Sequence, residues 1–485
     1  MKSIVLLVVI FTARLDCALS EPTQKYDTIV VGLGSSGVTA ATTLAKAGRR
    51  VLGLEADDRI GGRVKTVPFG DGVVEVGAEW IHGIVNSRVY DAAVQNNVTT
   101  LEQKMESQVF RSDGSFVDRD LFIELFEYGT EVAENATGAP KPVGQHTQEK
   151  LMEYLEKNHP DVLKDQDYVN GVLEALNLAL SALEATSDWN EVSTQSSYED
   201  LGGSLHYSWN KHGYKTFFEI LLNKYNNGPG LPSLDIKLNK EVTQIKWPKD
   251  STGDVEVVCK DGEIFTADNV IVTVSLGVLK ERYSELFKPA LPQKKIESIK
   301  VMSMGLLDKI IFQFDEPWWK SMTYDSIFLL WRGEDKRKVS IEDNWTTKIY
   351  GATTPMGSDN TLTLWISGEN AKLMETLPEE VVRSKAFGVI KQFMGANFTI
   401  PRPTGMIRST WYSNPYTRGS YTFDDVGFLQ HPNARNILGE PLLDSAGKPK
   451  VLFAGEATNP KHYGTVHGAS ETGFREAQRL LDINM

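Results

Sequence analysis

The residues best suited to chemistry come early in the chain. Gly32-Leu33-Gly34-Ser35-Ser36-Gly37 follows the apolar run Thr28-Ile29-Val30-Val31. Glu55 closes a second apolar run, Val51-Leu52-Gly53-Leu54, eighteen residues past Gly37. Strand, G-x-G-x-x-G, helix, strand and acid is the order that dinucleotide binding needs. Gly32 permits the tight turn, Gly34 lets the backbone approach a pyrophosphate, and Gly37 allows close helix–strand packing. Ser36 lies at the helix N-terminus that faces the phosphates, and Glu55 can hold ribose hydroxyls while opposing the 2′-phosphate of NADP. Asp57-Asp58-Arg59-Ile60-Gly61-Gly62-Arg63 follows directly, and Gly77-Ala78-Glu79-Trp80-Ile81-His82-Gly83 soon after. A glycine pair beside Arg63 can bring backbone and guanidinium to the same pyrophosphate.

Other chemistries find little support. His462 and His467 are five apart, with no cysteine or carboxylate at the usual ligand spacings, so no metal site is expected. There is no G-x-S-x-G elbow and no P-loop lysine for hydrolase or kinase chemistry. Lys309, in the largely apolar run Leu306-Leu307-Asp308-Lys309-Ile310-Ile311-Phe312, reads on composition as an ordinary strand lysine. His82 reads as a lone structural histidine, and any single Trp or Tyr as core packing.

These motifs must be positioned by a large chain. Its 485 residues amount to about three domains on the usual prior of about 150 residues each. With 41% hydrophobic and 24% charged residues it is of globular composition, not disordered or low-complexity. The balance of 51 basic and 64 acidic residues, net −13, argues against nucleic-acid binding. An acidic surface can concentrate a cationic substrate, though solubility alone accounts for it.

The first twenty residues read as a secretory signal: Lys2, an apolar run at 4–11, then Ala18-Leu19-Ser20. That run is too short for a membrane anchor, which takes about 20 residues. Cleavage after Ser20 removes Cys17 and leaves Cys259 alone, so no internal disulfide is expected. Sequons at Asn97, Asn135, Asn344 and Asn397 fit a secreted, glycosylated product.

Further along, 148–187 shows helical periodicity, 255–274 reads as a hairpin turning at Asp261-Gly262, 306–314 and 361–366 read as strands, and 381–394 as a helix. Polar stretches around 137–148 and 332–346 read as surface connections.

Several of these segments together resemble the flavin-dependent amine oxidase family, from about Tyr26 to the C-terminus, and most resemble the animal spermine and N1-acetylpolyamine oxidases. The family joins the glycine fingerprint to E-A-x-x-R-x-G-G-R and a G-A-x-W segment. Leu238-Asn239-Lys240-Glu241-Val242-Thr243-Gln244-Ile245 resembles its adenine-contacting strand, with Val242 at the contact. Val270-Ile271-Val272-Thr273-Val274-Ser275-Leu276-Gly277-Val278-Leu279-Lys280 resembles its V-T-V-P-L-G-V-L-K segment, with Ser275 replacing proline. Leu452-Phe453-Ala454-Gly455-Glu456-Ala457-Thr458, followed by Thr465-Val466-His467-Gly468-Ala469, resembles the closing strand and flavin-facing helix.

The resemblance implies an α/β protein of the amine oxidase fold. A discontinuous Rossmann-type FAD-binding domain (26–110, 235–305 and 440–485) would interleave with an α+β substrate-binding domain (111–234 and 306–439). It implies non-covalent FAD held by Gly32, Gly34, Ser36, Gly37, Glu55, Arg63, Glu79, Trp80, Val242, Glu456, Thr465 and Val466. Ser420 stands where monoamine oxidases carry the cysteine that attaches flavin. Lys309 matches the lysine that holds a water at the flavin, Trp411 and Tyr421 the aromatic wall, and His82 in W-I-H-G the histidine facing the substrate amine. Thr465 leaves the aromatic cage half open. Asp188, Glu191, Glu199 and Asp200 are candidate contacts for a distal ammonium.

The implied activity is oxidation of spermine, spermidine or N-acetylated polyamines by O2, giving an aldehyde, a shorter amine and H2O2. A secreted L-amino-acid oxidase, using Arg408 or Arg418 for a carboxylate, and a non-catalytic flavin-containing amine-binding protein remain open alternatives. Oligomeric state is not readable.

Overall fold

The computed structural model describes residues 25–322 and 324–483. The secretory signal expected at 1–20 lies outside the described residues. Strand Tyr26–Val31 is almost wholly buried, as a central parallel strand must be when both faces are covered. It pairs in parallel with Val51–Leu54 on one side and Ile264–Val272 on the other. Leu234–Lys237 extends the sheet beyond Val51–Leu54.

The nine-residue strand Ile264–Val272 serves two partners besides Tyr26–Val31. Its first half pairs antiparallel with Val255–Cys259, completing the hairpin through Asp261-Gly262, and its second half pairs in parallel with Pro449–Phe453. This nine-stranded sheet therefore draws on 26–54, 234–288 and 442–453.

A six-stranded sheet faces the other side of the central cavity. Its order is Gly405–Arg408, Leu307–Gln313, Thr361–Ser367, Gly351–Thr353, Ser326–Leu330 and Ser107–Arg111. Leu307–Gln313 sets Lys309 directly opposite Trp365. Two segments lie across the expected boundaries. Ser107–Arg111 joins this second sheet, because Val109 and Phe110 are fully buried beside Ser326–Leu330. Helix Lys215–Leu221 instead packs Phe217 and Phe218 into the core of the first sheet and its helices.

The periodic stretch 148–187 resolves into helices Val143–Asn158 and Gln166–Leu183. The first begins inside what reads as a loop, directly after Pro142, whose fixed φ suits a helix start. Helix Glu379–Met394 lies where it is expected. Ser275 takes up its proline position as a helix cap: it accepts from Val278 N (3.1 Å) and donates to Thr417 O (2.6 Å).

The two ends of the described chain meet at the glycine turn. Gly32 has φ +88°. A Cβ on Gly37 would stand 1.9 Å from Gly32 O, and one on Gly473 2.1 Å from Ser36 O. Helix Ser35–Lys46 is thus pressed between the first strand and the last helix, Val466–Asp482. Thr39 Oγ1 and Ser470 Oγ (2.9 Å), and Ser35 Oγ and Val466 O (3.0 Å), tie the two helices together.

Gly37→Ala must push this helix off the strand and should cost about 1–3 kcal/mol, with less flavin retained on purification. Gly388→Ala, inside helix Glu379–Met394 with nothing within 4 Å of the new methyl, should stabilise by about 0.5–1 kcal/mol. Thermal melts of the two variants, with flavin absorbance, check both signs.

Candidate active site

One cavity of about 1500 Å³ runs from the C-terminal edge of the parallel strands to the face of the second sheet. Liganded pockets usually span about 300–1,000 Å³, so there is room for a dinucleotide and a second molecule. The dinucleotide end fits its group. A Cβ on Gly34 would meet only Gly61 O, at 3.8 Å, so the backbone there is open to close approach. Glu55 ends strand Val51–Leu54 at that edge, its carboxylate accepting from Leu33 N (2.7 Å) and Asp57 N (3.0 Å). Burial pushes its pKa up against those two bonds.

Arg63 donates to Glu456 Oε1 (2.9 Å) and Ser420 O (2.6 Å) while lining the cavity. Glu456 Oε2 accepts from Thr422 Oγ1 (2.7 Å) and Gly464 N (2.9 Å). Burial acts to raise the Glu456 pKa, but Arg63, Thr422 and Arg435 prevail and leave it below the usual carboxylate value. Val242, Thr465 and Val466 also line the cavity, and Thr465 caps the last helix by accepting from Gly468 N (3.0 Å). These residues present open backbone, a carboxylate and a countercharged arginine in the order that would fit an FAD molecule.

At the second sheet, Lys309 is 3% exposed. Its Nζ donates to Glu79 Oε2 (2.6 Å) and Glu75 O (2.8 Å) and stands 4.4 Å over the Trp365 ring. Two of its three N–H groups are used, leaving one without an acceptor among the described residues. Glu79, expected at the cofactor, lines the cavity but gives its carboxylate to Lys309. Trp80 stacks on Trp365 (5.6 Å) and donates to Gln103.

His82 Nδ1 lies 2.7 Å from Leu205 O. A carbonyl can only accept, so Nδ1 carries the proton and Nε2 is left as an acceptor. Burial lowers the His82 pKa, against the Leu205 bond and the charge of Asp200. Trp411 and Tyr421 line the cavity. Tyr421 donates to Ala182 O (3.0 Å) and Leu183 O (3.1 Å) at the end of helix Gln166–Leu183, and burial holds its hydroxyl protonated.

The candidate acids separate. Asp188 caps the turn Trp189–Glu191, Glu191 is away from the cavity, and Glu199 pairs with Lys461 (2.7 Å). Only Asp200 lines the cavity. The residue that sequence reasoning missed is Glu184, at the end of helix Gln166–Leu183. It lines the cavity; its backbone N–H closes the helix on Leu180 O (3.2 Å), but its carboxylate has no hydrogen-bond or ion-pair partner among the described residues. Burial, and then Asp424, push its pKa up to about 7 against Arg435. The acid directly after a long apolar run was its only signal. Tyr350, Tyr198, Tyr463 and Trp365 complete the aromatic wall, and nothing in their local sequence marks them.

Ser420 Oγ exchanges hydrogen bonds with Leu307 N and O, both 2.9 Å. Cys259 lies in strand Val255–Cys259, away from the cavity lining. Contrary to expectation, His462 does have a carboxylate partner, Glu471 at 2.7 Å, one helical turn beyond His467. Among the described residues no group of three His, Cys, Asp or Glu could hold a metal ion, and no helix is long and apolar enough to cross a membrane.

The profile of flavin containing amine oxidoreductases matches residues 35–481. The chain is 31% identical to the peroxisomal N(1)-acetyl-spermine/spermidine oxidase of Homo sapiens and 30% identical to that of Bos taurus, each over 94% of both chains. It is 28% identical to a probable polyamine oxidase of Arabidopsis thaliana, over 94% of this chain and 98% of that one. Among solved structures, a putrescine oxidase redesigned in its cofactor binding superposes with a TM-score of 0.66 at 19% identity. That match covers 95% of this chain and all of the other, and it shows a shared fold.

Lys309→Met leaves the Glu79 carboxylate buried and unpaired, which should cost about 3–5 kcal/mol. Adding Glu79→Gln should recover most of that stability without restoring turnover, since the free N–H at this point in the cavity stays lost. Denaturant titration beside a turnover assay separates the two effects.

Proposed function

The chain belongs to the flavin containing amine oxidoreductase family, and on that basis we propose that it is a secreted polyamine oxidase acting on spermine, spermidine or their N-acetylated forms. Bound FAD would supply a two-electron acceptor that takes hydride from the carbon beside nitrogen and is re-oxidised by O2, releasing H2O2. His82 Nε2 accepts a hydrogen bond from the reacting nitrogen. Its lowered pKa keeps it an acceptor into mildly acidic solution. Lys309, anchored by Glu79 and the Glu75 carbonyl, offers its remaining N–H beside the reacting centre. Trp411, Tyr421 and Tyr350 wall the centre off from water and suit an aliphatic chain.

Glu184 carries the choice of substrate class: a carboxylate without a protein partner, in an aromatic-lined cavity, calls for a cation at a distance from the oxidised carbon. Arg408 and Arg418, which an amino-acid oxidase would use, do not line the cavity. Arg408 donates to Met374 O (2.7 Å) and Arg418 pairs with Glu281 (2.6 Å). The secretory address is supported by the apolar run at 4–11 and by the exposure of Asn97, Asn135, Asn344 and Asn397. Two relatives are named as peroxisomal, so the address is a point on which this chain would differ.

Peroxide release measured with spermine, spermidine, N-acetylspermine, leucine and phenylalanine tests the reading. Polyamines should be turned over, and peroxide from the amino acids alone would overturn it. Glu184 ionises above about pH 7 in the free protein, so kcat/KM for a polyamine should rise as pH passes upward through that value. Glu184→Gln should lower kcat/KM above pH 7 by about tenfold, the scale of one charge-assisted contact. It should also remove that part of the rise which the substrate's own titration does not supply; coincident profiles would exclude the role.

Expression in a secreting eukaryotic host should yield a product beginning at Glu21, whose mass falls on glycosidase treatment. A cell-retained product beginning at Met1 would refute the address.

A further inference from the structure

The substrate end of the cavity is covered by a strap, residues 194–200, that lies outside any helix or strand. Thr194, Gln195, Ser196, Tyr198 and Asp200 of this strap line the cavity. An irregular segment has no ladder to hold it, so its position depends on what its side chains and backbone are tied to. At the surface, Glu199 pairs with Lys461 (2.7 Å), a contact that water and salt weaken. Backbone bonds hold the strap's ends, Thr194 N to Lys141 O and Glu199 N to Lys461 O (both 2.9 Å), and between them the ties are half-buried.

Asp424 Oδ2 accepts from Ser197 N (3.2 Å) and Ser197 Oγ (2.9 Å). Tyr463 OH shares a hydrogen bond of 2.5 Å with Ser196 Oγ. Both lead to one side chain, Arg435, which is 1% exposed and is absent from the cavity lining. Arg435 Nη2 donates to Asp424 Oδ1 (2.8 Å), and its guanidinium carbon lies 3.7 Å from the centre of the Tyr463 ring. Nη1 donates to Thr422 Oγ1 (2.7 Å), which in turn donates to Glu456 Oε2 (2.7 Å), the partner of Arg63. One buried guanidinium therefore reaches the strap by two routes and the cofactor wall by a third. Its planar fork, with stacking on a ring, lets it serve all three at once.

We propose that Arg435 is a positioning residue for amine recognition, holding the strap 194–200 in fixed relation to the cofactor wall through Asp424 and Tyr463. The inference rests on the polyamine reading for its substrate but on the described contacts for its geometry. Arg435 touches neither the reacting atoms nor the cavity, so its loss acts on how well the amine is held. Arg435 reaches the cofactor wall only through Thr422, and in its absence the direct Arg63–Glu456 bond (2.9 Å) remains to hold that end.

The test uses the flavin-loaded full-length protein. Arg435→Met should raise KM for spermine or N-acetylspermine about tenfold, the scale of one lost charge-assisted tie, with kcat changed less than about threefold and FAD retained. Arg435→Lys keeps the charge at Asp424 but loses the fork and the stacking, so its KM should fall between the two. Amide hydrogen exchange over 194–200 should quicken in Arg435→Met while the strands of the nine-stranded sheet stay protected. An unchanged KM in folded, flavin-bearing Arg435→Met overturns the proposal.

If that variant does not fold, the double variant Ser196→Ala/Ser197→Ala removes the hydroxyl ends of both routes at exposed positions, leaving only the Ser197 N–H on Asp424. A raised KM then supports the proposal and an unchanged one overturns it. Should wild type turn over no polyamine, the functional reading fails. The positioning role then stands or falls separately on whether exchange at 194–200 responds to Arg435→Met.

Discussion

Everything in this molecule turns on how closely three backbones approach at Gly32, Gly37 and Gly473. Side chains at Gly37 or Gly473 would overlap the carbonyl oxygen of Gly32 or Ser36, and one at Gly32 would press on Thr273 Oγ1 from a left-handed backbone of φ +88°. Their absence lets the first helix sit against the first strand and the last helix against the first. The result is that residues more than four hundred positions apart, Ser35 and Val466, share a hydrogen bond at the cofactor end. The same meeting fixes where Thr465 and Val466 enter the cavity, and so sets the distance between dinucleotide cradle and aromatic wall.

Outward from that point the cavity is walled by buried charge, and the pairing of that charge governs its chemistry. Lys309 is held by Glu79, Arg63 by Glu456, and Arg435 by Asp424. Each pair is taken out of water at a desolvation cost of several kcal/mol per ion, so the gain lies less in stability than in fixed orientation. A charge compensated within the protein offers little pull on a substrate. Glu184 alone of these acids has no direct partner; Arg435 acts on it only at a distance, and its pKa is raised.

Legibility followed the range of the contact. Gly32, Gly34, Gly37, Glu55 and Arg63 belong to a strand–turn–helix–strand unit whose geometry is local, so their spacing carries their role. The central parallel strands were equally plain, being short apolar runs bounded by turn residues. Trp365 beside Lys309 depends on the register of two strands about fifty residues apart, which no local pattern encodes. Ser107–Arg111 reads as an edge of the nucleotide region until its partner Ser326–Leu330 is seen. The acids at 188–200 look like one group because they are close in sequence. In space Asp188 caps a turn, Glu199 faces solvent, and Asp200 alone reaches the cavity.

The net charge of −13 can now be placed more closely. Long-range attraction from a dispersed acidic surface is screened within about 8 Å at physiological salt, so it affects encounter more than choice. Choice depends on charges at the cavity wall. There Asp424 and Glu184 would together present two negative charges to an incoming amine, were Asp424 not paired with Arg435. Arg435 thus subtracts one charge from the substrate end while fixing the strap above it. On the proposed polyamine reading, Glu184 is then the place for an ammonium beyond the reacting nitrogen, and the aromatic wall would pack against the methylene segments between the amines.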